Sequence, residues 1–112
     1  MKIANDLPSL TSAATAFAAL GSEHRLAILR RLVKAGPDGL TIGALGEDVD
    51  VSGSVLTHHL KQLASAGLVV QRRAGRQIFC TVDFSAVEGL SDYLVMECCA
   101  DLGADTWDHR HG

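Results

Sequence analysis

Long apolar runs and aromatic side chains are both scarce in this chain of 112 residues. No apolar run approaches the roughly 20 residues that a membrane-spanning helix requires, and the N-terminal sequence MKIANDLPSL lacks the apolar segment of a signal peptide. We therefore expect a cytoplasmic protein with no membrane partner. Because aromatic residues make up only 4% of the chain, the core of the one small domain that this length allows should be aliphatic.

Cysteines are few, and their number is odd. The chain contains Cys80, Cys98 and Cys99, which in a reducing compartment favours free thiols or a thiol site over a disulfide framework. Catalytic patterns are missing as well. Nothing places a histidine beside Cys98 or Cys99 as a general base, and there is no phosphate-binding glycine loop. We expect no enzymatic activity.

Acidic residues are absent from Val51 to Val82, although the whole chain has a net charge of −3. This segment contains four basic residues, Lys61, Arg72, Arg73 and Arg76. From Asp83 to Asp108 the balance is reversed, with seven acidic residues and no lysine or arginine. The first segment suits DNA and the second would be repelled by it. A module that binds only other proteins would leave the acid-free segment unexplained.

The acid-free segment predicts a helix followed by a β-hairpin. Ser52 is a helix-capping residue, Gly67 ends the helix, and the apolar spacing within 52–66 is helical. The expected buried stripe consists of Val55, Leu56, Leu60 and Leu63. Two short β-prone runs follow at 68–71 and 77–82, with the turn at Ala74-Gly75 between them.

Four further helices are predicted by apolar periodicity and helix-start residues. They cover Ser9 to Leu20, a segment that opens at Ser22-Glu23, Ile42 to Asp48 capped by Thr41, and a last helix from Ser85. The second helix should bury Leu26, Leu29, Leu32 and Val33, and the last should group Val87, Leu90, Leu94, Val95, Cys98 and Leu102 on one face. The order α-α-α-α-β-β-α is a mainly α winged helix-turn-helix, in one domain over 1–112 with a polar tail at 105–112.

Three motifs carry a family resemblance: ALGSEHRLAILRRLV at 19–33, VSGSVLTHHLKQLASAGLV at 51–69 and RRAGRQIFCTV at 72–82. Together they resemble the ArsR/SmtB family of winged-helix repressors that respond to metals and metalloids, over most of the chain from Phe17 to Cys99. The resemblance implies a homodimer formed by the first and last helices. It also implies binding to a palindromic operator in double-stranded DNA and release when an inducer binds. Gly53 and His58 replace the glutamine and arginine of many relatives, so the preferred bases should differ.

The exposed side of the 52–66 helix should contact DNA, because its apolar stripe faces the core. The candidate residues there are Ser52, Ser54, Thr57, His58, Lys61 and Gln62. Arg73 and Arg76 beside the hairpin turn are candidates for contacts with phosphates or the minor groove. His59 lies near the apolar stripe, and we interpret it as a packed, hydrogen-bonded structural residue.

Cys80, Cys98 and Cys99 are the candidate sensing residues. Their arrangement resembles ArsR-type repressors with one cysteine on the second wing strand and a vicinal pair on the last helix. This resemblance implies an inducer of trivalent arsenic or antimony (arsenite, methylarsenite or antimonite), since soft thiolates suit soft centres. Adjacent helical residues point about 100° apart, so joint binding by the pair would need suitable rotamers or a frayed helix end.

Three alternatives remain for these residues. Zinc could bind the carboxylates Asp92, Glu97 and Asp101 with the tail residues His109 and His111. Thiol oxidation or reactive sulfur could act on Cys80 and the vicinal pair if their Cα atoms lie within about 7 Å. All three cysteines could also be buried apolar residues without a sensing role.

Overall fold

The computed structural model describes residues 7–51 and 53–99, with only the backbone of 97–99. The helices are α1 (Leu10–Ala19), α2 (Glu23–Ala35), α3 (Ile42–Val49), α4 (Gly53–Ser65) and α5 (Phe84–Cys99), and the strands are β1 (Leu40–Thr41), β2 (Val69–Ala74) and β3 (Gln77–Val82). The expected winged helix-turn-helix is confirmed. The expected tail at 105–112, with His109 and His111, lies outside the described residues, as do Asp101 and Leu102.

Hydroxyl side chains begin the first three helices. Ser9, Ser22 and Thr41 each have extended backbone angles, and each accepts a hydrogen bond from the amide three residues further on. This bond satisfies one of the N–H groups that the first turn of a helix leaves without a partner. The predicted caps at Ser22 and Thr41 are therefore confirmed, and the predicted helix boundaries agree with the observed ones to within two residues.

The sheet contains one strand that the sequence did not predict. β1 pairs antiparallel with β3, which also pairs with β2, so the strand order is β1-β3-β2. The element order is therefore α-α-β-α-α-β-β-α. Gly39 leads into β1 with φ of 71°, and a side chain there would overlap the Cys80 carbonyl oxygen. Only glycine tolerates both this backbone angle and this close approach.

The wing, formed by β2, β3 and their turn, also differs in detail from the prediction. β2 continues to Ala74, which pairs with Gln77. The connection is therefore a two-residue turn, Gly75-Arg76, and not Ala74-Gly75. Gly75 has φ of 66°, the left-handed conformation that tight hairpin turns require and glycine supplies.

The core is aliphatic, as expected, and lies between the helices and the sheet. Its most deeply buried side chains are Ile28, Leu32, Leu45, Leu56, Leu60, Leu63, Leu68 and Cys80. Gly67 ends α4 with φ of 81°. After this left-handed residue, Leu68 lies in the core. No helix among the described residues is long and apolar enough to cross a membrane.

Four residues expected on buried stripes are exposed instead. Leu26, Val33, Val55 and Leu94 have exposed fractions of 51%, 39%, 55% and 48%. Leu26, Val33 and Val55 each lie about a quarter turn or more from the centre of the helix's buried side, at about 100° per residue. In α2 that centre is set by Ile28, Leu29 and Leu32, which are buried. The apolar spacing predicted the correct helices, but it assigned too many residues to the buried side of three of them.

Candidate nucleic-acid interface

Helix α4 has two sides of opposite character. Leu56, Leu60 and Leu63 are buried against the core, which leaves the other side free. The polar face of α4 consists of the exposed residues Ser54, Thr57, His58, Lys61 and Gln62. The structure therefore brings five of the six candidate DNA-contacting residues of this helix to one surface. Ser52 lies outside the described residues.

Hydrogen bonds within the polar face decide which groups remain available. The Gln62 side-chain amide nitrogen lies 3.0 Å from His58 Nε2. This distance places the two side chains in hydrogen-bond contact. Thr57 donates its hydroxyl to the Gly53 carbonyl oxygen at 3.3 Å. In this rotamer Thr57 offers only lone pairs, which suit the amino groups of adenine or cytosine in the major groove.

Arg25, on α2, contacts both α1 and α4. Its Nε donates to the Ala19 carbonyl oxygen at the end of α1 at 2.5 Å, and its Nη1 lies 3.4 Å from His59 Nδ1. Since a guanidinium can only donate, His59 Nδ1 accepts. A cation at the C-terminus of α1 also interacts favourably with the helix dipole. This contact was not predicted from the sequence, because no local pattern signals it.

The environment of His59 favours its neutral form. Burial lowers the pKa of His59, and the Arg25 guanidinium, His24 and His58 lower it further. The His24 and His59 rings are stacked with centroids 5.6 Å apart. A neutral ring is also what accepting a hydrogen bond from Arg25 requires. These contacts agree with the interpretation of His59 as a packed structural residue.

The wing presents its arginines to solvent in different ways. Arg72 lies over the Phe79 ring, with its guanidinium carbon 5.2 Å from the ring centroid, a cation–π arrangement. Arg73 donates to the Gly75 carbonyl oxygen at 3.4 Å, and Arg76 is in the turn itself. All three are exposed. Because no acidic residue lies between 51 and 82, the wing and the polar face of α4 together contribute four cations and no carboxylate.

Cys80 belongs to the core. It is fully buried at the centre of β3, where it pairs with Leu40 on one side and Gln71 on the other. The Gln71 side-chain amide donates to its sulfur at 3.8 Å. Burial raises the pKa of the Cys80 thiol, and the Gln71 hydrogen bond offsets part of this shift. A thiolate at this position is therefore disfavoured in the folded chain.

The other two cysteines lie in the last turn of α5, and their side chains are outside the described residues. Within the described part of the chain, no three histidine, cysteine or carboxylate side chains come together as a group that could hold a metal ion. The proposed ligand set Cys80, Cys98 and Cys99 therefore stays a prediction.

A groove between α1 and α4 was not anticipated from the sequence. It has a volume of about 490 Å³, and it is lined by Thr15, Ala18, Ala19, His58, Lys61, Gln62, Ser65 and Ala66. Helix α1 contributes no charged residue to it, so Lys61 determines its charge. The groove adjoins three residues of the polar face, which extends the accessible surface of α4 towards α1.

The fold, the polar face and the wing define a winged helix-turn-helix domain. Residues 20–72 match the family model described as a helix-turn-helix domain, which covers α2, α3, α4 and the start of the wing. The chain is also similar to an uncharacterised HTH-type transcriptional regulator, YceK, of Bacillus subtilis. The two are 38% identical over 60 residues, which is 54% of this chain and 59% of that protein.

Two further similarities are to ArsR-type proteins. The putative arsenical resistance operon repressor ArsR of Halobacterium salinarum is 38% identical over 69 residues, which is 62% of this chain and 53% of that protein. An ArsR-like transcriptional regulator from Rhodococcus sp. RHA1 superposes with a TM-score of 0.68 at 27% identity, over 89% of this chain and 86% of that one. The chain thus spans between half and three-fifths of the two curated relatives. These matches show a helix-turn-helix domain that is similar to those of ArsR-type regulators.

Proposed function

We propose that this chain is a DNA-binding transcriptional repressor of the ArsR family. The observation that carries the proposal is the exposed polar face of α4 together with three exposed wing arginines, in a segment without a single acidic residue. In a helix-turn-helix protein this helix enters the major groove, and its side chains contact base edges. The wing arginines contact the phosphates or the minor groove beside it.

The repressor acts as a homodimer on a palindromic operator. Helices α1 and α5 pack against each other, and both leave apolar side chains exposed. These side chains are Leu10 on α1 and Phe84, Leu94 and Met96 on α5. Apolar residues exposed on two adjacent helices favour a second copy of the chain as their partner. Two copies related by a two-fold axis would present two α4 helices to two half-sites.

A salt titration tests the DNA-binding part of the proposal. Arg73→Ala removes one wing cation, and Lys34→Ala removes one exposed cation from α2 as a matched control. On a duplex that carries the protein's own upstream region, Arg73→Ala should weaken binding and reduce the slope of log K against log salt by about one. Lys34→Ala should leave the slope unchanged. Equal slopes in Arg73→Ala and the unaltered protein would contradict a phosphate contact at Arg73.

The inducer is a trivalent arsenical or antimonite bound by cysteine thiolates, with Cys98 and Cys99 as the central pair. The adjacent pair on α5 supports this choice, because soft thiolates match soft metalloids and α5 lies at the proposed dimer interface. The arsenical name of the Halobacterium relative also favours it. Cys80 is the third candidate ligand, but its burial means that it can take part only if the core around β3 opens.

Operator release distinguishes this inducer from zinc and from thiol oxidation. Arsenite, methylarsenite, antimonite, zinc and an oxidant would each be added to the protein–DNA complex. The unaltered protein, the Cys98→Ser/Cys99→Ser variant and the Cys80→Ser variant would be compared. Release by an arsenical or antimonite that the double substitution abolishes is expected. Equal release from the unaltered and doubly substituted proteins would contradict the cysteine site. Release by zinc alone would assign sensing to the carboxylates Asp92, Glu97 and Asp101 and the tail histidines.

A further inference from the structure

One apolar side chain lies at the edge of the polar face of α4. Val55 is 55% exposed, although the residue after it, Leu56, is buried. It sits in the first turns of the helix, beside the exposed Ser54 and one turn from His58. Three leucines supply the buried side of α4, so Val55 is not part of the core.

The position of Val55 distinguishes it from an ordinary exposed valine. Single exposed apolar residues are ordinary on proteins, and a β-branched residue is a weaker helix former than alanine. Val55, however, is in the N-terminal part of α4, which is the part of a recognition helix that contacts base edges. An apolar group there would lose its contact with water when the helix enters the groove.

The major groove offers one apolar group to such a side chain, the C5-methyl group of thymine. Cytosine has a hydrogen at that position, and both purines present a polar N7 in the groove. We propose that Val55 is a specificity-determining residue that packs against a thymine methyl group in the major groove. This inference rests on the proposed DNA-binding function.

A methyl-deletion experiment tests the contact directly. A duplex selected by the unaltered protein from a randomised DNA pool would serve as the probe. Each thymine would be replaced in turn by deoxyuridine, which removes only the methyl group. Affinity would be measured for the unaltered protein, for Val55→Ala, and for Val33→Ala, a control that shortens another exposed helical valine, on α2. Both substitutions are on exposed surfaces and should leave the fold intact, which circular dichroism would check.

The unaltered protein should lose about fourfold in affinity at one thymine of each half-site, the value expected for one buried methyl group. In Val55→Ala, removal of that methyl group should hardly change the affinity. In Val33→Ala, it should still reduce the affinity about fourfold. A uridine effect of equal size in the unaltered protein and Val55→Ala at every thymine would overturn the proposal. Failure of the unaltered protein to select or bind any duplex would instead refute the proposed function itself.

Discussion

Replacement of Arg25 should be among the more damaging changes to a polar residue in this protein. Arg25→Ala removes the donor to the Ala19 carbonyl oxygen and the donor to His59 Nδ1. A hydrogen bond that involves a charged group contributes about 1.5–3 kcal/mol at best, and one as long as that to His59 contributes less. Loss of a cation from the end of α1 adds about 0.3–1 kcal/mol. Since Arg25 is only partly buried, we expect the free energy of unfolding to fall by about 2–3 kcal/mol in total.

Urea unfolding with circular dichroism measures this quantity. The midpoint should fall without a change in the slope m, because the folded and unfolded surfaces stay nearly the same. Arg30→Ala, an exposed arginine on the same helix, is the matched control and should cost within about 0.5 kcal/mol. Arg25→Lys should give an intermediate loss, because an ammonium group keeps the charge but not the two-pronged geometry. If Arg25→Ala and Arg30→Ala unfold at the same midpoint, the connection of three helices through Arg25 contributes nothing to stability.

Three further predictions concern the histidine, the tight glycine and the buried thiol. Because the pKa of His59 is lower in the folded chain than its ordinary value of 6.5, the unfolded chain takes up the proton first. The contribution of neutral His59 to the free energy of unfolding is therefore complete above pH 6.5 and is lost as the pH falls. His59→Gln should reduce this pH dependence between pH 7 and 5 in denaturant titrations, and an unchanged profile would contradict it. Gly39→Ala should destabilise the protein more than Gly36→Ala, since both glycines have positive φ but only Gly39 faces a backbone overlap; equal melting temperatures would refute this. In the Cys98→Ser/Cys99→Ser background, Cys80 should react with a thiol reagent at pH 8 only as fast as the protein opens, because it is fully buried. Rapid modification of the folded protein would show that it is accessible.

Most of the helices and the hairpin could be predicted because their signals are local. Ser22 and Thr41 mark helix starts, and leucines three or four residues apart mark the buried side of α4. The absence of acidic residues around the wing is visible without any structure. For the same reason the exposure of the polar face of α4 was predictable, since it follows from which residues of one helix are apolar.

The features that were missed depend on contacts between distant segments. β1 is two residues long, too short for alternation to show, and its partner Cys80 is 40 positions away in the sequence. The contact between Arg25 and His59 spans 34 positions. The exposure of Val55 depends on how α4 is rotated against its neighbours, and its apolar character alone suggested the opposite. These are the places where tertiary packing outweighs local pattern.

The contact between Arg25 and His59 also bears on the proposed function. Helix α1 packs against α5, its Ala19 carbonyl oxygen accepts a hydrogen bond from Arg25, and Arg25 contacts His59 on α4. The helices of the proposed dimer interface are therefore joined by direct contacts to α4, the helix that we propose contacts DNA. A ligand that changes the packing of α5 can affect DNA binding only to the extent that such contacts differ between two states.

The contact between Arg25 and His59 predicts an effect on operator affinity that is separate from its effect on stability. His59→Gln should weaken operator binding even after the affinity is corrected for the folded fraction, since it changes how α4 is held but no group on the polar face. Arg30→Ala should leave the corrected affinity unchanged. Fluorescence anisotropy at matched folded fractions would measure both. If the corrected affinity of His59→Gln equals that of the unaltered protein, the contact stabilises the fold without positioning α4 for DNA.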